Sequence, residues 1–257
     1  MTWTERRLPV LLLAVCWLFP APGNLASAQN LPDGLSARVI PFQAVYQARS
    51  AGLSATAERS LHQLDSGAFE LSQAMTVRVL GARLGAIEEI SHFAYEAGSV
   101  VPMSYSYTQS GLSSSAEHVQ FNWLDMLATS REDDARTSLP LQTGVVDKLS
   151  FQLALRLSLM DSQVTDVAIS MVDGDEIETH HYRVVASETV ETGLGKLDTL
   201  KVQRVREPGN RRQTTFWLAR DWHMLLVRFV QTSGSGSTTE LLLEEATIDG
   251  QQVTPLP

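Results

Sequence analysis

The chain has 257 residues, a formal net charge of −9 and a single cysteine, Cys16. An acidic chain repels the phosphate backbone of nucleic acids, and no cluster of Lys and Arg offsets this charge, so the composition argues against a nucleic-acid partner. A hydrophobic content of 44% is typical of a globular protein and not of a disordered one.

The first thirty residues have the pattern of a secretion signal. Two arginines at 6–7 precede an apolar run from Pro9 to Phe19, which is shorter than the ~20 apolar residues that span a bilayer. Small residues at Ala26–Ala28 form a cleavage site. We therefore expect a signal peptide at 1–28, cleavage near Ala28, and a mature chain in the periplasm with no stable membrane span.

Two alternatives to a cleaved signal remain open. One is an uncleaved membrane anchor; the other is a lipoprotein acylated at Cys16, although Val15 stands where a small residue normally precedes the cysteine. Cleavage after Ala28 would remove Cys16. The mature chain would then have no disulfide, no thiol nucleophile and no thiolate metal ligand.

Alternation of apolar and polar residues dominates the mature chain and predicts β-strands. Short turns with Gly, Asp and Ser separate the strands, which favours antiparallel hairpins over parallel crossovers. The predicted strands are 42–49, 69–79, 87–95, 101–109, 119–123, 167–171, 177–185, 197–206, 213–219, 225–232 and 239–248. No internal repeat or long linker divides residues 29–257, so we expect one domain.

One segment has helical spacing instead. Apolar residues recur at Val146, Leu149, Leu153, Leu157 and Met160, and good helix formers lie between them. This pattern predicts one main amphipathic helix between Val145 and Met160. The fold class expected is mostly β, with a curved antiparallel sheet or open barrel and this helix packed against it.

Four short motifs, in this order, resemble the DUF3108 family of exported bacterial proteins of unknown function. They are Val101-Pro102-Met103-Ser104-Tyr105, Asp147-Lys148-Leu149-Ser150, the hairpin Gly193 to Leu200, and Phe216-Trp217-Leu218-Ala219 with Asp221. Members often have a proline after that aspartate, and this chain has none. The resemblance implies a curved sheet around a helix, similar to the open half-barrels of periplasmic lipoprotein carriers, and it implies no catalytic residue.

The motifs of common enzymes are missing from the sequence. No G-x-S-x-G or H-E-x-x-H is present, and Gly193-Leu194-Gly195-Lys196 lacks the spacing of a phosphate loop. The acidic and histidine residues of 173–181 form the densest polar cluster, but His180 and His181 point to opposite faces of a strand. We therefore expect no catalytic residue, no metal site and no cofactor. A cleft that joins His92 or His118 to a carboxylate would reopen the enzyme hypothesis.

Large apolar side chains recur on alternating positions of several predicted strands. They either fill a core or line a cavity for a lipid or another hydrophobic ligand. The candidate lining residues are Phe42, Tyr46, Met75, Val77, Tyr105, Tyr107, Phe121, Trp123 and Trp217. The leading hypothesis is a non-catalytic carrier for a hydrophobic ligand. The alternative is an envelope interaction or assembly scaffold with a filled barrel, which would capture a partner protein.

Overall fold

Fifteen strands and one α-helix make up the part of the chain that the computed structural model describes, residues 39–79, 82–111, 113–133 and 135–257. The secretion signal predicted at 1–28 lies outside these residues. The helix is α1 (Phe151–Leu159). The strands are β1 (Phe42–Ser50), β2 (Leu53–Gln63), β3 (Phe69–Val79), β4 (Ala82–Glu96), β5 (Ser99–Gly111), β6 (Ser115–Asn122), β7 (Leu127–Glu132), β8 (Ala135–Pro140), β9 (Asp166–Asp173), β10 (Glu176–Thr192), β11 (Gly195–Val205), β12 (Gln213–Ala219), β13 (Leu225–Thr232), β14 (Thr238–Ile248) and β15 (Gln251–Gln252).

All strands belong to one curved antiparallel sheet. Its order is β8-β7-β6-β5-β4-β3-β2-β1-β14-β13-β12-β11-β10-β9, and β15 pairs with β14. Nearly every neighbour is the next strand along the chain, as short hairpins require, and the pairing of β1 with β14 joins the two halves. The expected fold class, a mostly-β curved sheet that does not close, is confirmed.

The connection from β8 to β9 contains α1 and joins the two edge strands of the sheet. Val146 forms a short parallel bridge to β9: its N–H donates to the Ser170 carbonyl at 2.9 Å, and Val172 donates back at 3.0 Å. The apolar side of α1, with Leu153, Leu155 and Leu159, is buried. The helix therefore fills the concave face of the sheet between its two edges.

The helix is shorter than the sequence predicts. It begins at Phe151 and not near Val145, because Val146 pairs with β9 and residues 147–150 form a turn. The apolar spacing of Val146 and Leu149 reflects burial of that bridge and turn, since these side chains are 2% and 0% exposed. The helical spacing of apolar residues therefore identified a buried segment correctly, but it did not predict the backbone conformation of residues 146–150.

The two-residue strand β15 was not predicted, and neither were three longer strands, β2, β7 and β8. Their inward positions carry small or charged residues, such as Ala57 and Arg59 on β2 and Ser130 on β7, so the alternation of large apolar residues is missing. Strand β5 contains a local irregularity at Met103. A register shift opposite His92 and Phe93 leaves Met103 exposed, while Tyr105 is buried.

The described residues belong to one compact unit with one main hydrophobic core. This core combines the concave face of the sheet with α1 and the segment before it. Within the described ranges, no helix has the length and apolar character needed to cross a bilayer.

Candidate functional site

A row of polar side chains crosses the concave face of the sheet. Directly paired residues on antiparallel strands share a face, and the register aligns Arg59 of β2, Gln73 of β3, Glu89 of β4, Tyr107 of β5 and Glu117 of β6. The neighbouring row on the same face, two residues further along each strand, contains Ser91 and Tyr105 and is also partly polar. Charged groups therefore lie on the concave face of the sheet, which α1 covers.

The turn at residues 147–150, which we call the Asp147 turn, fixes the start of α1. Asp147 is fully buried, and its Oδ1 accepts hydrogen bonds from the Leu149 and Ser150 N–H groups at 2.8 and 2.7 Å. The Ser91 hydroxyl on β4 donates to Oδ2 at 2.6 Å. Burial raises the pKa of Asp147, and the hydrogen bonds from Ser150, Ser91 and Leu149 act in the opposite direction. The carboxyl group thus attaches the helix start to the sheet.

Lys148 links the two halves of the molecule across the open side of the sheet. Its ammonium group contacts the Glu117 carboxylate on β6 and lies 3.2 Å from Asp173 Oδ1 at the end of β9. Burial raises the pKa of Glu117, and the charge of Lys148 limits this rise. The Glu117 side chain is 6% exposed, so it depends on Lys148 for compensation.

Glu89 occupies the centre of the polar row. It accepts hydrogen bonds from the Tyr105 hydroxyl at 3.1 Å and from Gln73 Nε2 at 3.2 Å. Burial raises the pKa of Glu89, whereas the Tyr105 hydrogen bond and the charges of Arg59 and Lys148 lower it. No group in this row combines a nucleophile with an oriented base, so the geometry supports binding or stability better than catalysis.

Two buried arginines lie beside the row. Arg59 and Arg156 are 5% and 8% exposed, and they line the same enclosed space beneath α1 with Phe42 and Tyr46. Tyr46 donates its hydroxyl proton to the Leu226 carbonyl at 2.9 Å. We call this space the arginine pocket.

The arginine pocket has about 10 Å³ of free space. This volume holds about one water molecule, whereas pockets for organic ligands measure ~300–1,000 Å³. A second depression of about 220 Å³ is lined by Leu197, Asp198, Trp222 and Pro255, and it includes none of the predicted lining residues. The space that these residues enclose beneath α1 is therefore too small for an organic ligand.

Eight of the nine predicted lining residues lie on the concave face and the ninth does not. Phe42, Tyr46, Tyr105 and Phe121 are buried in the core there. Met75, Val77, Tyr107 and Trp123 are partly exposed, and Trp123 stacks on Phe121 with ring centres 6.0 Å apart. Of the nine residues, Phe42 and Tyr46 contact the arginine pocket.

Trp217 is the exception, because it points to the convex face. Its neighbour Phe216 faces inward and contacts Phe151 of α1, with ring centres 6.4 Å apart. Trp217 lies instead between Lys201 and Arg228, at 5.1 and 4.8 Å from its ring centre. Its indole N–H donates to Glu188. The cations cover the ring, so Trp217 does not join the interior.

The acidic and histidine cluster of β9 and β10 forms a charged hairpin. His180 is buried and its Nε2 lies 2.6 Å from Glu178 Oε2, while His181 is exposed on the other face. Among the residues that the structure describes, no group of three His, Cys, Asp or Glu side chains could hold a metal ion. His92 contacts Glu70 at 2.9 Å and Ser104 at 3.3 Å on a partly exposed surface.

Sequence reasoning missed a surface feature at the turn between β6 and β7, residues 123–127, which we call the hairpin tip. Leu124 is 98% exposed, and Met126 and Leu127 are 38% and 43% exposed. Met103 on β5, 45% exposed, follows Pro102, whose carbonyl accepts the Trp123 N–H. The signal was present as four apolar residues around Asp125, at turn positions where polar residues or Gly are usual.

The hairpin tip is held in one conformation. The Asp125 N–H donates to Asn122 Oδ1 at 3.1 Å, and Asn122 Nδ2 donates to Asp125 Oδ2 at 2.7 Å. Leu141 donates its N–H to the Met126 carbonyl at 2.8 Å. Met126 has a φ of 52°, a left-handed conformation that disfavours a residue with a β-carbon. These hydrogen bonds define the turn that carries the apolar side chains of the tip.

Solved structures of similar fold include a β-barrel-like protein of the domain of unknown function DUF1849 from Brucella abortus. It has 10% identity and a TM-score of 0.55, and the alignment covers 82% of this chain and 98% of that one. The MucA/MucB complex of Pseudomonas aeruginosa aligns with 13% identity and a TM-score of 0.37, over 86% of this chain and 55% of that one. No curated protein matches the sequence.

The family model described as "Protein of unknown function (DUF3108)" matches residues 46–243. This range begins in β1 and ends in β14, so it includes the polar row, the Asp147 turn and the hairpin tip. The chain therefore belongs to the DUF3108 family.

Proposed function

We propose that this protein is a non-catalytic interaction module of the cell envelope, which binds a partner protein through its hairpin tip. The observation that carries this proposal is the exposure of Leu124, Met126 and Leu127 on a hydrogen-bonded turn. Contiguous patches of exposed apolar side chains are uncommon on monomeric proteins, and they often mark interaction sites. The small free volume of the arginine pocket supports the same conclusion, because it leaves no room there for an organic ligand.

The charge of the hairpin tip favours a protein over a membrane as the partner. Residues 123–127 contain one charged side chain, Asp125, and no Lys or Arg. Elements that bind membrane surfaces usually combine apolar residues with basic ones, which attract anionic lipids. An acidic tip on a chain of net charge −9 lacks that attraction. We therefore propose a partner with an apolar groove that accepts Leu124.

The competing function is the carrier for a hydrophobic ligand. The free space of about 10 Å³ beneath α1 leaves no room for an acyl chain while the helix is in place. A carrier would have to move α1 away from the concave face, against the hydrogen bonds of the Asp147 turn. Binding at the hairpin tip requires no such rearrangement, so the interaction module is the better supported function.

The test is site-specific photo-crosslinking in the cells that produce the protein. A photoreactive phenylalanine analogue replaces Leu124, which keeps the tip apolar. We expect one adduct of defined mass, and its yield falls about tenfold when Leu127→Ser is added, as for a residue in the centre of an interface. The partner identified from the adduct is then purified, and we expect Leu124→Ser to raise its Kd by ~10-fold or more.

The matched control places the same analogue at Ser235, which is exposed in the turn between β13 and β14. The proposal predicts no specific adduct from this position. Equal adducts from both positions, or an adduct at Leu124 that Leu127→Ser leaves unchanged, would reject the hairpin tip as the binding surface.

A further inference from the structure

Two buried cations share the arginine pocket, and none of the residues that line it is an Asp or Glu. The Glu89 carboxylate of the polar row interacts with Arg59 through its charge, but without a direct ion pair. Arg59 donates to Gln152 Oε1 at 2.8 Å, and Arg156 donates to the His223 carbonyl at 3.2 Å. Both partners are uncharged. Within the described part of the chain, neither guanidinium forms an ion pair with a carboxylate.

Each of these arginines also has a donor that remains free. The Nε atoms of Arg59 and Arg156 are buried and have no hydrogen-bond partner. A buried donor without a partner is costly, and it is more costly when it carries charge. Arginine cannot relieve this cost by losing its proton at neutral pH. Burial lowers the pKa of Arg156 only to about 10.

The surroundings strengthen the electrostatic field of the two arginines. Apolar side chains line most of the remaining wall; they are Phe42, Leu71, Leu153, Leu155, Phe216, Leu218, Leu225 and Leu226. An apolar wall screens charge poorly, so an anion placed there would interact strongly with both guanidinium groups. The Phe42 ring covers one face of the Arg156 guanidinium at 4.8 Å, and both residues line the pocket.

We propose that the arginine pocket binds one small monovalent anion, of the size of chloride, between Arg59 and Arg156. The free space of about 10 Å³ suits a single water-sized particle. The anion accepts hydrogen bonds from the two free Nε–H groups and offsets the buried positive charge. It stabilises the packing of α1, which carries Arg156, on the strand that carries Arg59. This role does not depend on the hairpin tip.

The first test measures the Tm of the full chain in chloride and in gluconate at equal ionic strength. Gluconate is too large for the pocket. Above the dissociation constant, each tenfold increase in chloride should raise the Tm by about 3–5 °C, and gluconate should not. Arg59→Met and Arg156→Met should remove the chloride dependence. Arg183→Met is the control, because Arg183 is exposed and pairs with Asp166 on the surface.

A second measurement does not depend on variants that fold. Crystals of the unaltered protein are soaked in bromide, and the anomalous signal locates the ion. We expect one bromide within hydrogen-bond distance of both Nε atoms. A water in the pocket with no bromide would overturn the proposal. A Tm that responds equally to chloride and gluconate, or a chloride response that persists in both methionine variants, would overturn it as well.

Discussion

The interior of the sheet and the hairpin tip depart from the usual distribution of residues in opposite ways. The concave face buries charged groups, among them Asp147 and Glu117, whereas the tip exposes Leu124 and Leu127. Soluble proteins normally place such residues the other way round. In the interior, hydrogen bonds and Lys148 compensate for the buried charge. At the tip, Leu124 is almost fully exposed, and Met126 and Leu127 are more than one third exposed.

This difference separates stability from binding. Compensated charges in the interior hold α1 and the two edges of the sheet in register, so their loss should destabilise the fold. The apolar side chains of the tip contribute little to the core, so their loss should affect binding alone.

Asp147→Ala should destabilise the protein by about 3–5 kcal/mol. The substitution leaves two backbone N–H groups and the Ser91 hydroxyl buried without their acceptor, at a cost of ~1–3 kcal/mol each. Chemical denaturation followed by fluorescence measures the free energy of unfolding.

The matched control is Asp161→Ala. Asp161 accepts the Gln163 N–H at 2.9 Å in a similar local turn, but it is exposed. We expect a loss below ~1 kcal/mol for this variant. Equal losses for the two aspartates would show that the Asp147 turn is not the element that attaches α1.

Lys148→Met should cost ~1–3 kcal/mol at pH 7, because it leaves the Glu117 carboxylate buried without its cation. The loss should shrink in acid. Burial already raises the pKa of Glu117, and protonation below that pKa removes the unpaired charge. Unfolding free energies of the variant and the unaltered protein at several pH values measure this effect. A loss that stays constant with pH would contradict it.

Glu89→Gln should change the pH dependence of stability and keep the fold. Burial raises the pKa of Glu89 in the folded protein above its ordinary value of 4.5. The protonated form therefore favours the folded state, and this contribution is complete below the ordinary pKa and disappears as the pH rises through the raised one. Relative to the unaltered protein, the glutamine variant should gain stability over that pH range. A parallel pH profile for the two proteins would refute the assignment.

Met126→Gly should stabilise the protein slightly, by about 0.5–1 kcal/mol, because glycine adopts a φ of 52° without steric cost. The same substitution removes an apolar side chain from the hairpin tip and should weaken partner binding. Thermal unfolding and a binding titration on the same sample measure both quantities. A change of stability and binding in the same direction would argue against the separation of the two regions.

Much of the fold follows from sequence periodicity, because most strands alternate large apolar and polar residues. The inward side of β2 carries Ala55, Ala57, Arg59 and Leu61, and this single large apolar residue was too weak a pattern to identify the strand. Phe216 and Trp217 are both large and adjacent, and alternation alone does not decide which one faces inward. Their positions depend on pairing: Trp217 aligns with Lys201 and Arg228, whose side chains cover it.

The partners of the interior charged residues could not be predicted, because local sequence patterns do not specify strand register. Asp147 and Lys148 belong to a recognised motif, but their partners Ser91 and Glu117 are 56 and 31 residues away. Strand register brings these groups together, and register follows from the pairing of whole hairpins. The hairpin tip is different, because its exposed apolar run is local. Attention to apolar residues in a turn would have found it.

The proposed function requires that the protein itself fills the concave face and that a partner protein binds to the outer surface. Native mass spectrometry of the full chain, purified without detergent from the cells that produce it, tests this claim directly. The account predicts the mass of the polypeptide with no bound lipid, and no lipid in an organic extract of the same sample. A lipid bound at one molecule per chain, lost when α1 is crosslinked to the sheet, would contradict it.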